Sequence, residues 1–306
     1  MDKRFSNHES SNHELMPLRA ILAAIMVSFC WGANFTASKF AMEYFPPFMT
    51  VLIRFVGLSI LLLPFVIRQK LPKLKEMLIL SLLYISCHFA LLFFAMYIGL
   101  SITSAIIATQ LGVPFSSMLA AIFFKDYLGP WRTVGLAFAF AGVVVVAGAP
   151  DVADHSLAFG IGLVGALGWA ASNIHIKRMS QATVSATLFW PGLFAIPQML
   201  ILSLLFESGQ LAALQHATWT AWAGVAYSAL MSSIVGYGLW AWLLARYTVN
   251  QVVPFSLLVP VFGISCAMIF FGERMTIELI VGALLTVAGV AIITLRRPKL
   301  AELERV

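Results

Sequence analysis

Charged residues are scarce in this chain of 306 residues, at 10% of the sequence, whereas soluble domains carry about a quarter. So few charges cannot provide the polar surface that water requires, which excludes an ordinary soluble domain. Apolar residues are instead abundant, at 61%. They form runs of about 18 residues or more, each long enough to cross roughly 30 Å of hydrocarbon. We therefore predict a polytopic membrane protein.

Cysteine is also scarce, and Cys30, Cys87 and Cys266 lie inside apolar runs without any paired spacing. We expect them to act as small apolar side chains, neither disulfide-bonded nor metal-bound. Residues 1–17 are polar and mixed in charge, and no short apolar core with a small-residue cleavage site follows them. This pattern predicts a retained cytoplasmic tail rather than a signal peptide.

Motifs of catalysis and nucleotide binding are missing. The sequence has no H-E-x-x-H, no G-x-S-x-G, no acid-rich metal motif and no Walker loop, which disfavours an integral membrane enzyme and a built-in ATPase. Gly160, Gly162 and Gly165 form a G-x-G-x-x-G, with Gly168 following, but no strand precedes them and no acid follows about twenty residues on. We interpret these glycines as sites of close helix packing, and we expect no cofactor or metal.

The apolar runs predict an all-α membrane protein with ten transmembrane helices, because long runs satisfy their backbone in a bilayer as helices. Charges, prolines and polar clusters delimit the spans, which we place at about 18–38, 47–67, 76–97, 101–124, 131–148, 157–177, 183–206, 218–245, 250–271 and 277–295.

The basic residues predict the orientation of these spans. With the N-terminus inside, 16 of the 19 lysines and arginines fall on cytoplasmic segments, including the basic tail 296–306. Only Lys39 and Arg274 fall on the opposite side, and Arg54 lies within a span. Because short cytoplasmic loops of membrane proteins are rich in basic residues, both termini are predicted to be cytoplasmic. Topology thus accounts for the net charge of +6 without a nucleic-acid partner.

The two halves of the chain resemble each other. Residues 31–39 (WGANFTASK) align with 169–177 (WAASNIHIK), with a tryptophan and a lysine matched at the two ends. Residues 114–126 (PFSSMLAAIFFKD) align with 260–273 (PVFGISCAMIFFGE) after one inserted residue. Tryptophan and lysine are scarce here, so their matches carry the most weight.

A third match between the halves is weaker, but it follows the other two in the same order along the chain. Gly135 and AGV at 141–143 correspond to Gly282 and AGV at 288–290 with identical spacing. Each unit holds five spans, and an odd number means that the second copy enters the membrane from the opposite side. We therefore predict two inverted five-helix repeats around a central cavity, the architecture of secondary transporters. The repeats are placed at 18–148 and 155–295, with an outer linker at 149–154.

These paired motifs resemble the drug/metabolite transporter (DMT) superfamily, EamA type. The resemblance rests on SFCWGANFTASKF in the first helix, Arg54 in the second, GVPFSSMLAAIFFKD in the fourth, and LVPVFGISCAMIFFGERMT with GALLTVAGVAI near the C-terminus. The first unit departs from the usual pattern in ending its fourth helix with FFKD instead of a glycine–acid pair. The segment LLYISCHFALLFFAMYIGLS and the overall length are similar to aromatic amino acid exporters of the YddG type, which implies a bacterial inner-membrane location.

Prolines and cations within the spans have two interpretations each. Pro114 and Pro260 occupy matching places in the fourth and ninth helices, where they are packing kinks or flexing points for alternating access. Because both halves have one, we favour the flexing points. Arg54 either snorkels outward along its stem or pairs internally, and we expect structural anchoring rather than solute binding. Lys39 and Lys177 end their helices and are expected to be interfacial anchors.

Tyr84 and His88 lie four positions apart on one helical face, in a stretch where lipid offers neither a partner. They either form a structural hydrogen bond between helices or line a wet cavity. We predict that they line the cavity with Trp169 and contact the solute. Further polar or amphipathic groups of the predicted lining are Asn173, Asn34, Gln110, Tyr237 and Ser256.

This lining offers aromatic surface and hydrogen bonds with almost no formal charge, which suits an amphipathic solute better than a polyanion. The sequence thus favours an alternating-access exporter of amino acids, aromatic ones included, and similar metabolites. The alternatives are efflux of a drug-like or sugar-derived solute and, less favoured, a membrane enzyme or a structural scaffold. The expected partners are a small-molecule solute and membrane lipid; the oligomeric state stays open, and a monomer fits the sequence.

Overall fold

The structure is a computed structural model, and it describes residues 16–124, 129–179, 183–247 and 249–295. In this part of the chain, ten helices are long and apolar enough to cross a membrane. We number them α1 to α10: Leu18–Met42, Pro47–Val66, Leu74–Tyr97, Ile102–Phe124, Pro130–Ala147, Ser156–Arg178, Val184–Phe206, Trp219–Leu244, Val253–Phe271 and Ile277–Leu295. The prediction of ten transmembrane helices is confirmed.

The boundaries agree closely with the expected spans, with two notable differences. Helix α1 continues to Met42, four residues past its expected end. The short helix Val249–Val252 precedes α9, so the expected ninth span begins earlier than α9 itself. Short helices also lie between the spans at Pro150–Asp154, in the predicted outer linker, and at Gln210–His216. The basic tail 296–306 lies outside the described residues.

Helix pairing follows a pattern that repeats between the two halves. Helix α5 packs along α10, and α2 packs along α7. Helix α1 packs against α8 and α9, and its counterpart α6 packs against α3 and α4. The pairing is therefore unchanged when each helix is exchanged for its counterpart five places along the chain. This is the pattern that the predicted two-fold repeat requires.

Glycines allow the closest helix approaches. A Cβ atom at Gly168 of α6 would lie 2.8 Å from the Cβ of Cys87, and one at Gly165 would lie 3.3 Å from the carbonyl oxygen of His88. Gly162 approaches Leu100 in the same way, at 3.2 Å, whereas Gly160 faces open space. The prediction that these glycines serve helix packing is thus confirmed for three of the four.

The helices of each half depart from regular α geometry at matching places. Helix α3 is π-helical over Ser81–Ala90, and its counterpart α8 is π-helical over Ser228–Gly236. Helix α4 is interrupted between Gln110 and Gly112, and α9 begins with the 3₁₀ turn Val253–Leu257. Such irregularities occur often at functional sites.

Candidate functional site

The two π-helical segments bring several polar groups together inside the bundle. Tyr84 and His88 lie within the segment of α3, and Tyr237 directly follows the segment of α8. The hydroxyl groups of Tyr84 and Tyr237 are hydrogen-bonded to each other, which joins two helices that are counterparts in the predicted repeat. Their rings meet edge to face, with centroids 6.5 Å apart. Both tyrosines are half-buried.

The π-helical segment of α3 is held by an amide from α7. The Oε1 atom of Gln198 accepts a hydrogen bond from the hydroxyl of Ser86, at 2.6 Å. The Nε2 atom of Gln198 donates to the hydroxyl of Ser81, at 3.1 Å. One side chain thus bridges two points of the segment that carries Tyr84 and His88. Nothing in the local sequence of α3 indicated this bridge.

His88 is buried and bonded to the backbone of α6. Its Nδ1 atom lies 3.0 Å from the carbonyl oxygen of Gly165. A carbonyl only accepts, so Nδ1 carries the hydrogen, and in the neutral ring Nε2 is the acceptor. The ring also lies nearly parallel to that of Tyr84, with centroids 6.0 Å apart. One ring nitrogen of His88 therefore makes a structural bond to α6, and Nε2 is its remaining acceptor.

Trp169 belongs to a second polar group, between α6 and α4. Its indole ring lies directly against Gly112, which has no side chain to prevent this approach. One turn further along α6, Nδ2 of Asn173 donates to the hydroxyl of Ser116, at 3.3 Å. Helix α6 thus faces α3 through Gly165 and faces α4 through Trp169.

Among the described residues, three further members of the predicted lining have no hydrogen bond to the groups around Tyr84 or Trp169. Asn34 is buried in α1, and its Oδ1 has no hydrogen-bond partner among the described residues. Gln110 is half-buried at the interruption of α4. The Ser256 hydroxyl donates to the carbonyl oxygen of Val253, at 2.7 Å, within its own turn. Whether any of the predicted lining residues contacts a solute stays a prediction.

Pro114 and Pro260 both follow an irregularity of their helix. Pro114 is buried two residues past Gly112, where the second part of α4 begins, and Pro260 is buried two residues past Leu258, where the α-helical part of α9 begins. A proline cannot donate to the preceding turn, which explains why regular hydrogen bonding stops there. The two irregularities lie in counterpart helices, as the matched sequence positions predicted.

Trp31 of α1 also belongs to the site, although the predicted lining does not include it. Its Nε1 donates to the carbonyl oxygen of Ser232, at 3.2 Å, inside the π-helical segment of α8. Its ring packs on Tyr237 and on Trp240, with centroids 5.2 Å apart in both pairs. The match of Trp31 with Trp169 between the two halves was the signal that could have identified it.

Arg54 of α2 is a second residue near the site that is missing from the predicted lining. The sequence favoured structural anchoring, by snorkelling outward or by pairing internally, yet the side chain is only 1% exposed. The guanidinium donates from Nη2 to the hydroxyl of Ser233, at 3.0 Å, and lies 4.3 Å from the ring centroid of Phe89. It therefore does not snorkel, and it lies among the groups that surround the two π-helical segments.

One groove of the described chain lies apart from these polar groups. A groove between α3 and α6 is lined by Leu91, Ser156, Leu157, Gly160, Ile161 and Val164, and none of the polar groups above takes part in it. In the described ranges, no three His, Cys, Asp or Glu side chains converge in a way that could hold a metal ion.

Comparisons with known proteins agree with this architecture. A model of the EamA-like transporter family matches residues 18–148 and again residues 157–295. Relatives from Escherichia coli and Salmonella typhimurium are 33% and 32% identical, each over 88% of this chain and 92% of its own length. Both are named "Probable amino-acid metabolite efflux pump".

More distant proteins match this chain over a similar share of its length. The Bacillus subtilis transporter YoaV is 25% identical over 89% of this chain and 96% of its own. One solved crystal structure superposes with a TM-score of 0.61 at 16% identity, covering 90% of this chain and 96% of that chain. That likeness supports the fold alone.

Proposed function

Because the chain belongs to the EamA-like transporter family, within the DMT superfamily, we propose that it exports amino acids and similar amphipathic metabolites by alternating access. Aromatic amino acids are included among the solutes, as for the YddG-type exporters that the sequence resembles. The protein is a multi-pass membrane protein. Its proposed location is the bacterial inner membrane, with both termini in the cytoplasm.

The observation that carries this proposal is the pair of facing tyrosines at the π-helical segments. Tyr84 and Tyr237 come from counterpart helices of the two predicted repeats, and their hydroxyls meet inside the bundle. Secondary transporters bind solutes near the midplane, at the interface of their repeats. A tyrosine ring offers an apolar face and one polar group, which together suit an amphipathic amino acid. The names of the two relatives support the same solute class.

Contacts that join the two halves at both ends of the bundle support alternating access. On the predicted outer side, the carboxylate of Glu207 accepts from the backbone amides of Phe48 and Met49, at 2.6 and 3.1 Å. The carboxylate of Glu273 accepts from Ile102 and Thr103, at 2.7 and 2.9 Å. In each case a residue of the second half caps the first turn of a helix of the first half.

The opposite end has a weaker contact of the same kind. Gln69, just past α2, accepts a hydrogen bond from the Thr183 hydroxyl at 2.5 Å and donates to the Ser185 hydroxyl at 2.9 Å. We infer that the outer and inner contacts break alternately, while Pro114 and Pro260 allow α4 and α9 to bend. In this mechanism the outer contacts form the outer gate and the inner contacts form the inner gate. The solute is bound between the two gates by Tyr84, His88 and Trp169.

Transport by purified protein in liposomes tests the proposal. The panel contains phenylalanine, leucine, a sugar-derived solute and a cationic drug-like dye, each measured by release from loaded vesicles. We expect release of the amino acids, with phenylalanine among them, above that of protein-free vesicles. Release of only the dye or the sugar-derived solute would support those alternatives instead. Release of nothing would argue against export of these solute classes.

A further inference from the structure

Arg54 is a buried cation whose hydrogen-bonding capacity is mostly unused. It lies in α2 seven residues past Pro47, with 1% of its side chain exposed. Nη2 donates to Ser233, but Nε and Nη1 have no hydrogen-bond partner among the described residues. No carboxylate of the described chain forms an ion pair with it. The guanidinium thus carries its charge inside the bundle without a counter-charge.

Such an arrangement costs free energy that something must offset. Arginine does not give up its proton in proteins, so it cannot escape the cost by becoming neutral. Its guanidinium lies 4.3 Å from the ring centroid of Phe89 and 5.5 Å from that of Phe55. These cation–π contacts stabilise the charge in part, but they use the ring faces and leave the donors on Nε and Nη1 unpaired. Unpaired buried ions inside membrane segments are costly and mark functional sites.

Arg54 is connected to the predicted solute site through one ring. Phe89 contacts Arg54 on one side, and its centroid lies 5.1 Å from that of Tyr84 and 4.8 Å from that of His88. Ser233, which accepts from Arg54, belongs to the π-helical segment that ends next to Tyr237. The free donors of Arg54 therefore lie beside the aromatic groups, not at a membrane surface.

We propose that Arg54 binds the carboxylate of the exported solute. The inference rests on the proposed function and narrows the solute class to compounds that carry a carboxylate. The amino group of the solute matters less, because the described site has no acidic side chain to bind it. A guanidinium is the side chain best matched to a carboxylate, with charge and N–H donors together. Arg54 is covered in this conformation, so the solute reaches it when the bundle opens.

Binding of matched compounds to the purified protein tests this without relying on transport. The panel is phenylalanine, 3-phenylpropionate without the amine, phenylalaninamide with the carboxylate neutralised, and phenethylamine without the carboxylate. We expect thermal stabilisation of the protein by the first two and roughly ten- to hundredfold weaker binding of the last two. Sodium chloride and inorganic phosphate are the anion controls and should not replace the carboxylates at equal concentration.

Three variants link the preference to Arg54. Arg54→Gln should bind all four compounds with similar, weak affinity, and Arg54→Lys should recover part of the preference because it restores the charge. Arg178→Gln removes the same charge from the exposed end of α6, where the guanidinium lies 4.7 Å from the ring centroid of Phe123, and should keep the wild-type preference. If Arg54→Gln fails to fold, the wild-type panel still tests the preference for carboxylates, and Arg54→Lys still tests its dependence on Arg54.

The outcomes separate this inference from the proposed function. Equal binding of phenylalanine, its amide and phenethylamine to the wild type would overturn the role of Arg54 even if amino acids are exported. Absence of carboxylate binding, or equal stabilisation by chloride or phosphate, would also overturn it. Carboxylate binding that depends on Arg54, without any amino acid transport in liposomes, would leave this site standing and reject amino acid export instead.

Discussion

Gly142 of α5 and Gly282 of α10 lie so close that a Cβ atom on either would come within 2.6 or 2.7 Å of the carbonyl oxygen of the other. Gly135 and Gly289 meet in the same way, at 2.8 and 2.5 Å. The sequence repeat matches Gly135 with Gly282 and Gly142 with Gly289. Exchanging each glycine for its match in the other half therefore turns one of these two contacts into the other. A two-fold axis between α5 and α10 would produce this reciprocal contact.

A methyl group at this crossing should therefore destabilise the protein. We expect Gly142→Ala to cost about 1–3 kcal/mol, because backbone atoms of α10 must move to admit it. The matched control is Gly160→Ala, since a Cβ at Gly160 meets nothing within 4 Å, and alanine there should be neutral or slightly stabilising. Thermal unfolding of both variants in detergent measures the difference. Equal unfolding temperatures would contradict the packing role of Gly142.

The predicted topology can be tested with single cysteines in a cysteine-free background. Ala153→Cys lies in the predicted outer linker, and Leu300→Cys lies in the basic tail, outside the described residues. A membrane-impermeant maleimide added to intact cells should label the first and not the second, because the distribution of 16 of the 19 basic residues predicts that both termini are cytoplasmic. Labelling of both positions, or of the tail alone, would reject this orientation.

The carboxylates of Glu207 and Glu273 should control opening of the outer side. Each accepts two backbone N–H bonds at a helix start, a contact that has to break when the two halves separate there. We expect a Glu207→Gln, Glu273→Gln double variant to weaken these contacts, since the neutral amide loses the attraction to the positive helix end. A buried Thr103→Cys reporter should then react several-fold faster with a maleimide added from outside.

The inner end provides the control for this experiment. Gln69→Ala removes the contact with Thr183 and Ser185 on the predicted cytoplasmic side. It should not speed outer labelling of Thr103→Cys. If Gln69→Ala accelerates the reaction as much as the double variant does, the faster labelling reflects general loosening of the bundle and not an outer gate.

The number and order of the helices were predictable because each apolar run ends at charges, prolines or polar clusters. The end of α1 was missed for a physical reason: Lys39 was expected to mark an interface. Its ammonium instead donates to the carbonyl oxygen of Met96 at the end of α3, at 3.3 Å, so the helix can continue to Met42. A long lysine side chain finds a polar partner several residues from where its backbone lies.

The site was less predictable, because tertiary contacts shape it. Tyr84 and His88 could be identified as polar groups that need partners, but their partners Tyr237 and Gly165 come from distant helices. The π-helical geometry of α3 is linked to the Gln198 amide of α7, which the sequence of α3 does not reveal. Hydropathy and spacing report which helix a residue belongs to, not which neighbour it meets.

The Gly–Glu pair after α9 shows what the family motif does at the structural level. Gly272 ends α9 in the left-handed region, at φ 63°, and Glu273 then reaches the first turn of α4. A glycine adopts this conformation without the strain that a side chain would add. The motif thus both ends one helix and caps another, in the half of the chain that keeps the glycine–acid pair.

Aromatic contacts with the solute should be separable from folding. We expect Tyr84→Ala and Trp169→Ala to insert normally and to lower phenylalanine export, with Trp169→Ala lowering it roughly tenfold and affecting leucine less. Trp219→Ala is the matched control, because Trp219 is 79% exposed at the start of α8. Export by both site variants at the level of the Trp219 control, with normal protein amounts, would exclude these rings from the site.

His88 permits the sharpest test, because its two nitrogens have different roles. The amide nitrogen of asparagine can occupy nearly the same place as Nδ1 and can still donate to the Gly165 carbonyl, whereas it provides no counterpart of Nε2. If Nε2 contacts the solute, His88→Asn should keep the unfolding temperature close to that of the parent while amino acid export falls. His88→Ala should lower both, by about 1–3 kcal/mol in stability, since it removes a buried hydrogen bond and leaves a cavity. An asparagine variant that exports amino acids like the parent would show that the ring serves only to join α3 to α6.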